Sequence, residues 1–241
     1  MNAHPKKKPA PPSGPPAGGA AAPDRKRILL VDDHPFMLAG LAQLIDRQAD
    51  MTVCGEAGNP AEAIQALARN KPDVVLTDLT MPGRSGLEFI KDLLATDPAL
   101  AVLVISMHDE LVYAERALRA GARGYIMKEA GGENLLAALR QVLRGEVYVS
   151  PRMSARILDN LSASRPRGSS SPIEKLSDRE FEVFQLIGQG KSTRDIATQL
   201  HLSPKTVDVH RANIKEKLGL RDVTSLIRHA VRWVETQGIG P

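Results

Sequence analysis

VVLTDLTMPG, residues 74 to 83, is apolar for three residues, stops at the carboxylate of Asp78 and meets Pro82-Gly83 within five positions. Val74, Val75 and Leu76 make a short continuous aliphatic run, the pattern of a strand covered on both faces, and Pro-Gly marks the turn that follows. Asp78 therefore stands at the carboxyl end of a strand. Ligands bind along that edge of an open α/β sheet, so a carboxylate there asks for chemistry.

Outward from this stretch, strand and helix patterns alternate. RILLVDD, MTVCGEA, DVVLTD, AVLVISM and RGYIMK read as strands. The segments between them space apolar residues helically, as with Ile64, Leu67 and Ala68, or Leu135, Leu136, Leu139, Val142 and Leu143. Five such units predict an α/β doubly wound, five-stranded parallel sheet, because each amphipathic helix must cover a face of the sheet.

The 241 residues, 42% hydrophobic and 25% charged, suit a globular protein of one or two domains. No apolar run approaches the roughly 18 residues of a spanning helix, and the N-terminus lacks the apolar stretch of a secretory signal, so no membrane is expected. Cys54 is the only cysteine; it excludes a disulfide framework, favours a reducing, intracellular compartment and reads as a small buried hydrophobe. The net charge of +4 is segregated: residues 1–25 carry +3, 26–148 carry −4, 149–172 carry +3 and 173–241 carry +2. An acidic body followed by a basic remainder suggests that the second half meets a polyanion.

Composition also sets the boundaries. Residues 1–25, rich in Pro, Ala and Gly with Lys6-Lys7-Lys8, cannot bury a core and are expected to be a disordered tail. SASRPRGSSSP, residues 162–172, is expected to be flexible, within a linker at 149–172. Residues 26–148 and 173–241 then form two domains.

At the carboxyl ends of the strands stand Asp32 and Asp33, then Asp78, then Ser106, then Lys128 preceded by Tyr125. Clustered carboxylates repel unless a cation lies among them, and Mg²⁺ is the natural hard cation for oxygen ligands. A metal, a lysine and a hydroxyl around one carboxylate are what in-line attack on a phosphoryl group requires, with Asp78 as the nucleophile. Alone, each residue has a commoner explanation as a helix cap, a turn hydroxyl or a surface lysine. The set resembles the receiver domain of two-component response regulators over residues 26 to 148. The resemblance implies that Asp78 is the phosphoacceptor, that Asp32, Asp33 and Asp78 hold Mg²⁺, and that Ser106, Tyr125 and Lys128 form the switch. Thr80 and His108, beside the pocket, are expected to tune the phosphoryl lifetime. Glu129 departs from the pattern, since many receivers have proline there.

In the remainder, Ser177 with Glu180 reads as a capping box, with Phe181, Phe184 and Ile187 turned inward. Ser192 with Asp195 opens a second helix, and His201-Leu202 makes the turn. Ser203 caps a third helix that starts at Pro204 and ends at Gly219. This is a small all-α helix-turn-helix domain, whose third helix turns Lys205, Asp208, Val209, Ala212 and Lys215 away from the core. Lys205, Thr206 and Lys215 are expected near phosphates. Thr206, Val207, His210, Arg211, Ile214, Lys217 and Leu218 meet the pattern of the LuxR-type DNA-binding domain, which the segment resembles over about residues 173 to 236. That pattern adds Arg211 to the DNA-binding candidates, while His210 reads as a structural or phosphate-contacting residue. The last helix carries an apolar stripe, of which Val223, Ile227 and Val231 are expected to support dimerisation.

The combination resembles the NarL/FixJ class. It implies a cytoplasmic transcription regulator phosphorylated by a sensor histidine kinase, which then dimerises on an inverted-repeat operator in double-stranded DNA and acts with RNA polymerase. An aspartyl-phosphate phosphatase would need a second acid two positions after Asp78, where this chain has Thr80. The remaining alternative is a regulator that binds DNA without phosphorylation and uses its receiver only as an interaction surface.

Overall fold

The computed structural model describes residues 25–81, 84–162 and 172–236. The tail at residues 1–24, the Pro82-Gly83 turn and most of the Ser-rich stretch lie outside the described residues.

The first domain is built from β1 (Lys26–Val31), α1 (Pro35–Asp46), β2 (Met51–Ala57), α2 (Pro60–Asn70), β3 (Val74–Thr77), the short paired strands β4 (Thr80–Met81) and β5 (Arg84–Ser85), α3 (Gly86–Thr96), β6 (Ala101–Ser106), α4 (Glu110–Arg119), β7 (Gly124–Met127) and α5 (Gly132–Leu143). The main sheet has the order β2-β1-β3-β6-β7, with every neighbouring pair parallel. Strand order reverses between β1 and β3, so their carboxyl ends open a crevice there.

Alternation along the strands assigns the two faces. Leu29, Val31, Val75, Val102, Val104 and Tyr125 enter one core layer, against α2, α3 and α4. Ile28, Leu30, Val74, Leu76, Leu103 and Ile126 enter the other, against α1 and α5. Both layers are buried, which is why the strands read as continuous apolar runs.

The structure adds a helix to the linker region, α6 (Pro151–Ser162). Ser150 starts it, accepting from the Met153 backbone N–H at 3.1 Å and donating to Glu110 Oε1 at 2.7 Å. Met153 is buried and Ile157 packs against the core. Met153, Ile157, Leu158 and Leu161 are spaced as on one helix, so the linker expectation is corrected over residues 151–162: the Ser, Arg and Asn between them read as linker composition, while burial of Met153 and packing of Ile157 against the core order the segment beside α4.

The second domain consists of α7 (Asp178–Gly188), α8 (Thr193–Gln199), α9 (Pro204–Leu218) and α10 (Val223–Thr236). Both capping boxes form, at Ser177/Glu180 and Ser192/Asp195. Ser203 caps α9, and Gly219 ends it in the left-handed region at φ 65°. Gly188 lets α7 and α10 meet, since a Cβ there would lie 2.6 Å from the Ala230 carbonyl oxygen.

The two domains are docked through α4 and α7. The apolar cluster on the α4 side of the sheet continues through Val112 and Tyr113 to Phe181 and Phe184. Tyr113 Oη donates to Gln185 Oε1 at 2.6 Å. The Arg116 guanidinium lies 3.7 Å above the Phe181 ring and donates to the Ile173 carbonyl at 3.0 Å. Lys91 Nζ pairs with Asp178 Oδ2 at 2.7 Å, and Ser85 Oγ donates to Glu182 Oε1 at 2.9 Å. Sequence reasoning had no access to this arrangement, because no local pattern encodes which solvent-side residues of one domain meet the other.

Candidate acidic pocket and nucleic-acid interface

The crevice at the carboxyl ends of β1 and β3 gathers the predicted residues. Asp32 and Asp78 are 1% and 3% exposed. The Asp78 carboxylate is held on both oxygens: Oδ1 accepts from the backbone N–H groups of Leu79 at 2.6 Å and Thr80 at 3.2 Å, and Oδ2 accepts from Lys128 Nζ at 2.7 Å. Lys128 also donates to Asp32 Oδ2 at 2.7 Å. Burial opposes the charge on Lys128, but its bonds to Asp32 and Asp78 outweigh that and hold its pKa above the usual lysine value. Lys128 reaches this position from a 3-10 turn, Lys128–Ala130, that follows β7 directly, and Glu129 is accommodated in it. The loop after Asp78 is pinned by Gly86, where any Cβ would collide with the backbone of Leu79.

Asp33 completes the acidic group together with a residue that the sequence reading missed. His34 Nδ1 lies 3.0 Å from Asp32 Oδ1 and 2.9 Å from Asp33 Oδ1. One ligand atom from each of Asp32, Asp33, His34 and Asp78 falls within 4.8 Å of the others. The His34 ring bonds Asp32 Oδ1, so the buried Asp33 Oδ1, although 2.9 Å from the same nitrogen, accepts no hydrogen bond of its own and is an acceptor left over in the pocket. Three carboxylates against one ammonium leave excess negative charge among hard oxygen donors, which fits a divalent cation of the Mg²⁺ kind. The signal for His34 was its adjacency to the acidic pair; nothing in the spacing said that its ring would fold back.

Ser106, Tyr125, Thr80 and His108 meet beside this pocket. Ser106 Oγ accepts from the His108 backbone N–H at 3.2 Å, and Tyr125 Oη donates to the His108 carbonyl at 2.7 Å. Thr80 Oγ1 and His108 Nε2 are 2.9 Å apart. Burial lowers the His108 pKa despite the nearby Asp78 carboxylate, which keeps the ring neutral at pH 7. Burial likewise raises the Tyr125 pKa far above the phenol range, so its hydroxyl remains a donor. The His108 ring stacks on Tyr113 with 4.5 Å between centroids. Tyr113 and Arg116 were also missed, since a Tyr and an Arg three apart on α4 look like an ordinary core edge.

On the second domain, Lys205, Asp208, Val209 and Ala212 of α9 are exposed, with Val209 52% accessible. Val207 and Ile214 are buried on the opposite face. Lys215 is half-buried. The Thr206 hydroxyl is engaged with Ser203 Oγ at 2.7 Å, and Arg211 turns toward α8, donating to Thr193 Oγ1 at 2.6 Å. Arg211 thus braces the two helices of the helix-turn-helix as they stand here. On α10, Leu226, Ala230 and Val234 are buried, whereas Val223 and Ile227 are 43% and 40% exposed and Val231 is half-buried. The docked receiver leaves both the outward residues of α9 and much of the α10 stripe accessible. Among the described residues, no helix is long and apolar enough to cross a membrane.

Comparison with known proteins agrees with this organisation. Residues 28–140 match the response regulator receiver domain, and residues 174–230 match the bacterial regulatory proteins of the luxR family. The chain is 34% identical over 210 residues to the oxygen regulatory protein NreC of Staphylococcus carnosus, covering 86% of this chain and 97% of that one. Against NreC of Staphylococcus aureus strain RF122 the identity is 36% over the same coverage. Among solved structures, RcsB from Salmonella enterica serovar Typhimurium, bound to promoter rprA in the presence of the phosphomimetic BeF3−, is 26% identical with a TM-score of 0.59, over 86% of this chain and 99% of that one. A LuxR-family two-component response regulator from Aurantimonas sp. SI85-9A1 is 34% identical with a TM-score of 0.54, over 57% of this chain and 99% of that chain.

Proposed function

Because the chain belongs to the two-component response regulators that join a receiver to a LuxR-family helix-turn-helix domain, we propose that Asp78 accepts a phosphoryl group from a sensor histidine kinase and thereby controls DNA binding by α9. The observation that carries this reading is the setting of Asp78: buried, its Oδ1 fixed by two backbone N–H groups and its Oδ2 on the Lys128 ammonium. That arrangement fixes the carboxylate at the crevice between β1 and β3 and supplies a cation for the charge that arrives.

In the transfer, an Asp78 oxygen attacks phosphorus, the bond from phosphorus to the donor imidazole breaks, and an acyl phosphate forms while the imidazole departs with its electron pair and takes up a proton. Asp32, Asp33 and Asp78 are the residues that would hold Mg²⁺. When bound, the cation neutralises the phosphoryl oxygens and the carboxylate cluster. Lys128 exchanges part of its pairing with Asp32 for the new anion, and Ser106 Oγ donates to a phosphoryl oxygen. Thr80 and His108 border the same space and limit water's access to the acyl phosphate, which sets its lifetime.

On the output side, Lys205, Thr206 and Lys215 are assigned to phosphates and Asp208, Val209 and Ala212 to the major groove. Arg211 contributes only after leaving Thr193. Val223, Ile227 and Val231 pair two copies, so the operator is an inverted repeat with half-sites roughly 10 base pairs apart. The protein works in the cytoplasm, with RNA polymerase as the downstream partner, and its working units are the receiver at 26–148 and the DNA-binding domain at 173–241.

Asp78→Asn tests the assignment. The amide keeps the shape and loses the nucleophile, so incubation with a labelled small phosphodonor and Mg²⁺ should yield base-labile label on the wild type and none on the variant. Label on the variant at the wild-type level would show that another residue is the acceptor.

A further inference from the structure

The loop that joins β6 to α4 is tied at both ends of the signalling path, and His108 is the tie. Its backbone N–H is held by Ser106 Oγ at 3.2 Å and its carbonyl by Tyr125 Oη at 2.7 Å, so both switch residues act on the backbone of this one residue. Its ring Nε2 lies 2.9 Å from Oγ1 of Thr80, two residues beyond Asp78. The face of the same ring stacks on Tyr113, at 4.5 Å and 22° between planes. Tyr113 in turn is buried between the domains, donates to Gln185 Oε1 at 2.6 Å and meets the edge of Phe181 at 5.5 Å.

We propose that His108 is the positioning residue through which the effector domain reads Asp78: docking of α7 on α4 and phosphorylation of Asp78 compete for one conformation of the Ser106–Asp109 loop. This rests on Asp78 being the phosphoacceptor. If Ser106 Oγ turns to a phosphoryl oxygen, it leaves the His108 N–H, and an anion beside Thr80 displaces the Thr80 contact with the ring. The ring then loses the support that keeps it flat on Tyr113, and Tyr113 carries the hydroxyl that holds Gln185. A half-buried ring stacked on a buried one, with hydrogen bonds on its edge, has few intermediate positions, so the loop behaves as a two-state element.

Coupling of this kind is reciprocal in binding free energy. Weakening the docked interface from the effector side must therefore tighten binding of a phosphoryl mimic at Asp78, although Gln185 lies in the other domain. The probe is beryllium fluoride with Mg²⁺, titrated calorimetrically into the full chain. Gln185→Leu should tighten binding about fivefold, the factor that corresponds to one typical intramolecular hydrogen bond. Tyr113→Phe, which keeps the ring stack and deletes only the hydroxyl, should do the same. His108→Gln retains a polar group for Thr80 but removes the stack; it should bind the mimic more tightly by itself, and adding Gln185→Leu to it should produce no further change. A merely structural role for His108 would leave the Gln185→Leu increment intact in that background. Unchanged affinity in Gln185→Leu and Tyr113→Phe, or full additivity with His108→Gln, overturns the proposal. Failure of the reading beneath it looks different: the wild type would not bind the mimic, or Asp78→Asn would bind it as tightly as the wild type.

Discussion

Replacing Lys128 by alanine separates the electrostatics of the pocket from its chemistry. The ammonium makes two charge-assisted contacts of 2.7 Å, and its side chain is 6% exposed beside carboxylates still more buried, at 1% and 4%. Removing one partner from a buried ionic cluster leaves uncompensated charge and costs about 3–5 kcal/mol. For a chain of this size each kcal/mol moves the midpoint by about 2–4 °C, so the receiver transition should fall by roughly 6–20 °C in Mg²⁺-free buffer. The loss should depend on pH with a definite sign. Although burial opposes it, the pairing holds the Lys128 pKa above the ordinary lysine value, so its stabilisation is fully present below that value and is lost as pH rises through the folded one; the deficit of the variant should persist at neutral pH and shrink only in strong alkali. Mg²⁺ at a hundredfold excess over its Kd returns about 2.7 kcal/mol to any native state that binds it, and the variant should gain more than the wild type because its carboxylates no longer share an ammonium. Asp78 should still take up phosphoryl, since the nucleophile and the metal ligands remain, but DNA affinity should not rise with it. Thermal unfolding with and without Mg²⁺, followed by DNA binding before and after treatment with a phosphodonor, measures each part. A variant as stable as the wild type without Mg²⁺, or one that converts phosphorylation into tighter DNA binding normally, would refute the assignment of Lys128.

On α9, Asp208 is exposed and acidic, on the face proposed for DNA. Aimed at a base edge it accepts from the cytosine N4 amino group, so Asp208→Ala should relax preference for a C·G pair at one position per half-site by roughly 1–3 kcal/mol. Lys205→Ala and Lys215→Ala should instead weaken all sites alike and flatten the salt dependence. Site selection from random DNA distinguishes these effects, and an unchanged consensus for Asp208→Ala would leave that residue as a charge favouring the helix amino end. Ile227→Asp on α10 should abolish dimerisation on the operator while leaving the monomer's unfolding within about 0.5 kcal/mol of wild type, because the side chain is 40% exposed. Sedimentation and thermal unfolding check the two halves, and a monomer that unfolds early would place Ile227 in the core instead.

The opening stretch could be read because a doubly covered parallel strand carries its own signature. Val74, Val75 and Leu76 are all fully buried, and Asp78 follows where side chains leave the sheet. Alternation, capping pairs and the Pro204–Gly219 frame of α9 are local, and local physics decided them. The acidic pair, Asp78, Ser106, Tyr125 and Lys128 could be grouped in advance because parallel topology sends every carboxyl end to one edge. Residues whose roles depend on facing another element were not legible. Arg211 pointed toward DNA by its motif but bends to Thr193. His34 folds back on the carboxylates, and α6 lies against α4, a pairing its own stretch does not encode.

The sequence by itself therefore determined the five strands of the main sheet, the helices within the two domains, the domains' fold classes and the residues at the strand ends that share the pocket, since each follows from periodicity or from topology that periodicity forces. Only the tertiary structure decided that Lys128 bridges Asp32 and Asp78, that His108 is held on four sides, and that Tyr113 and Arg116 receive α7. These are pairings between residues tens of positions apart. Their energy comes from burial and orientation that exist only after the chain has closed, so no stretch of sequence short enough to have a period can encode them.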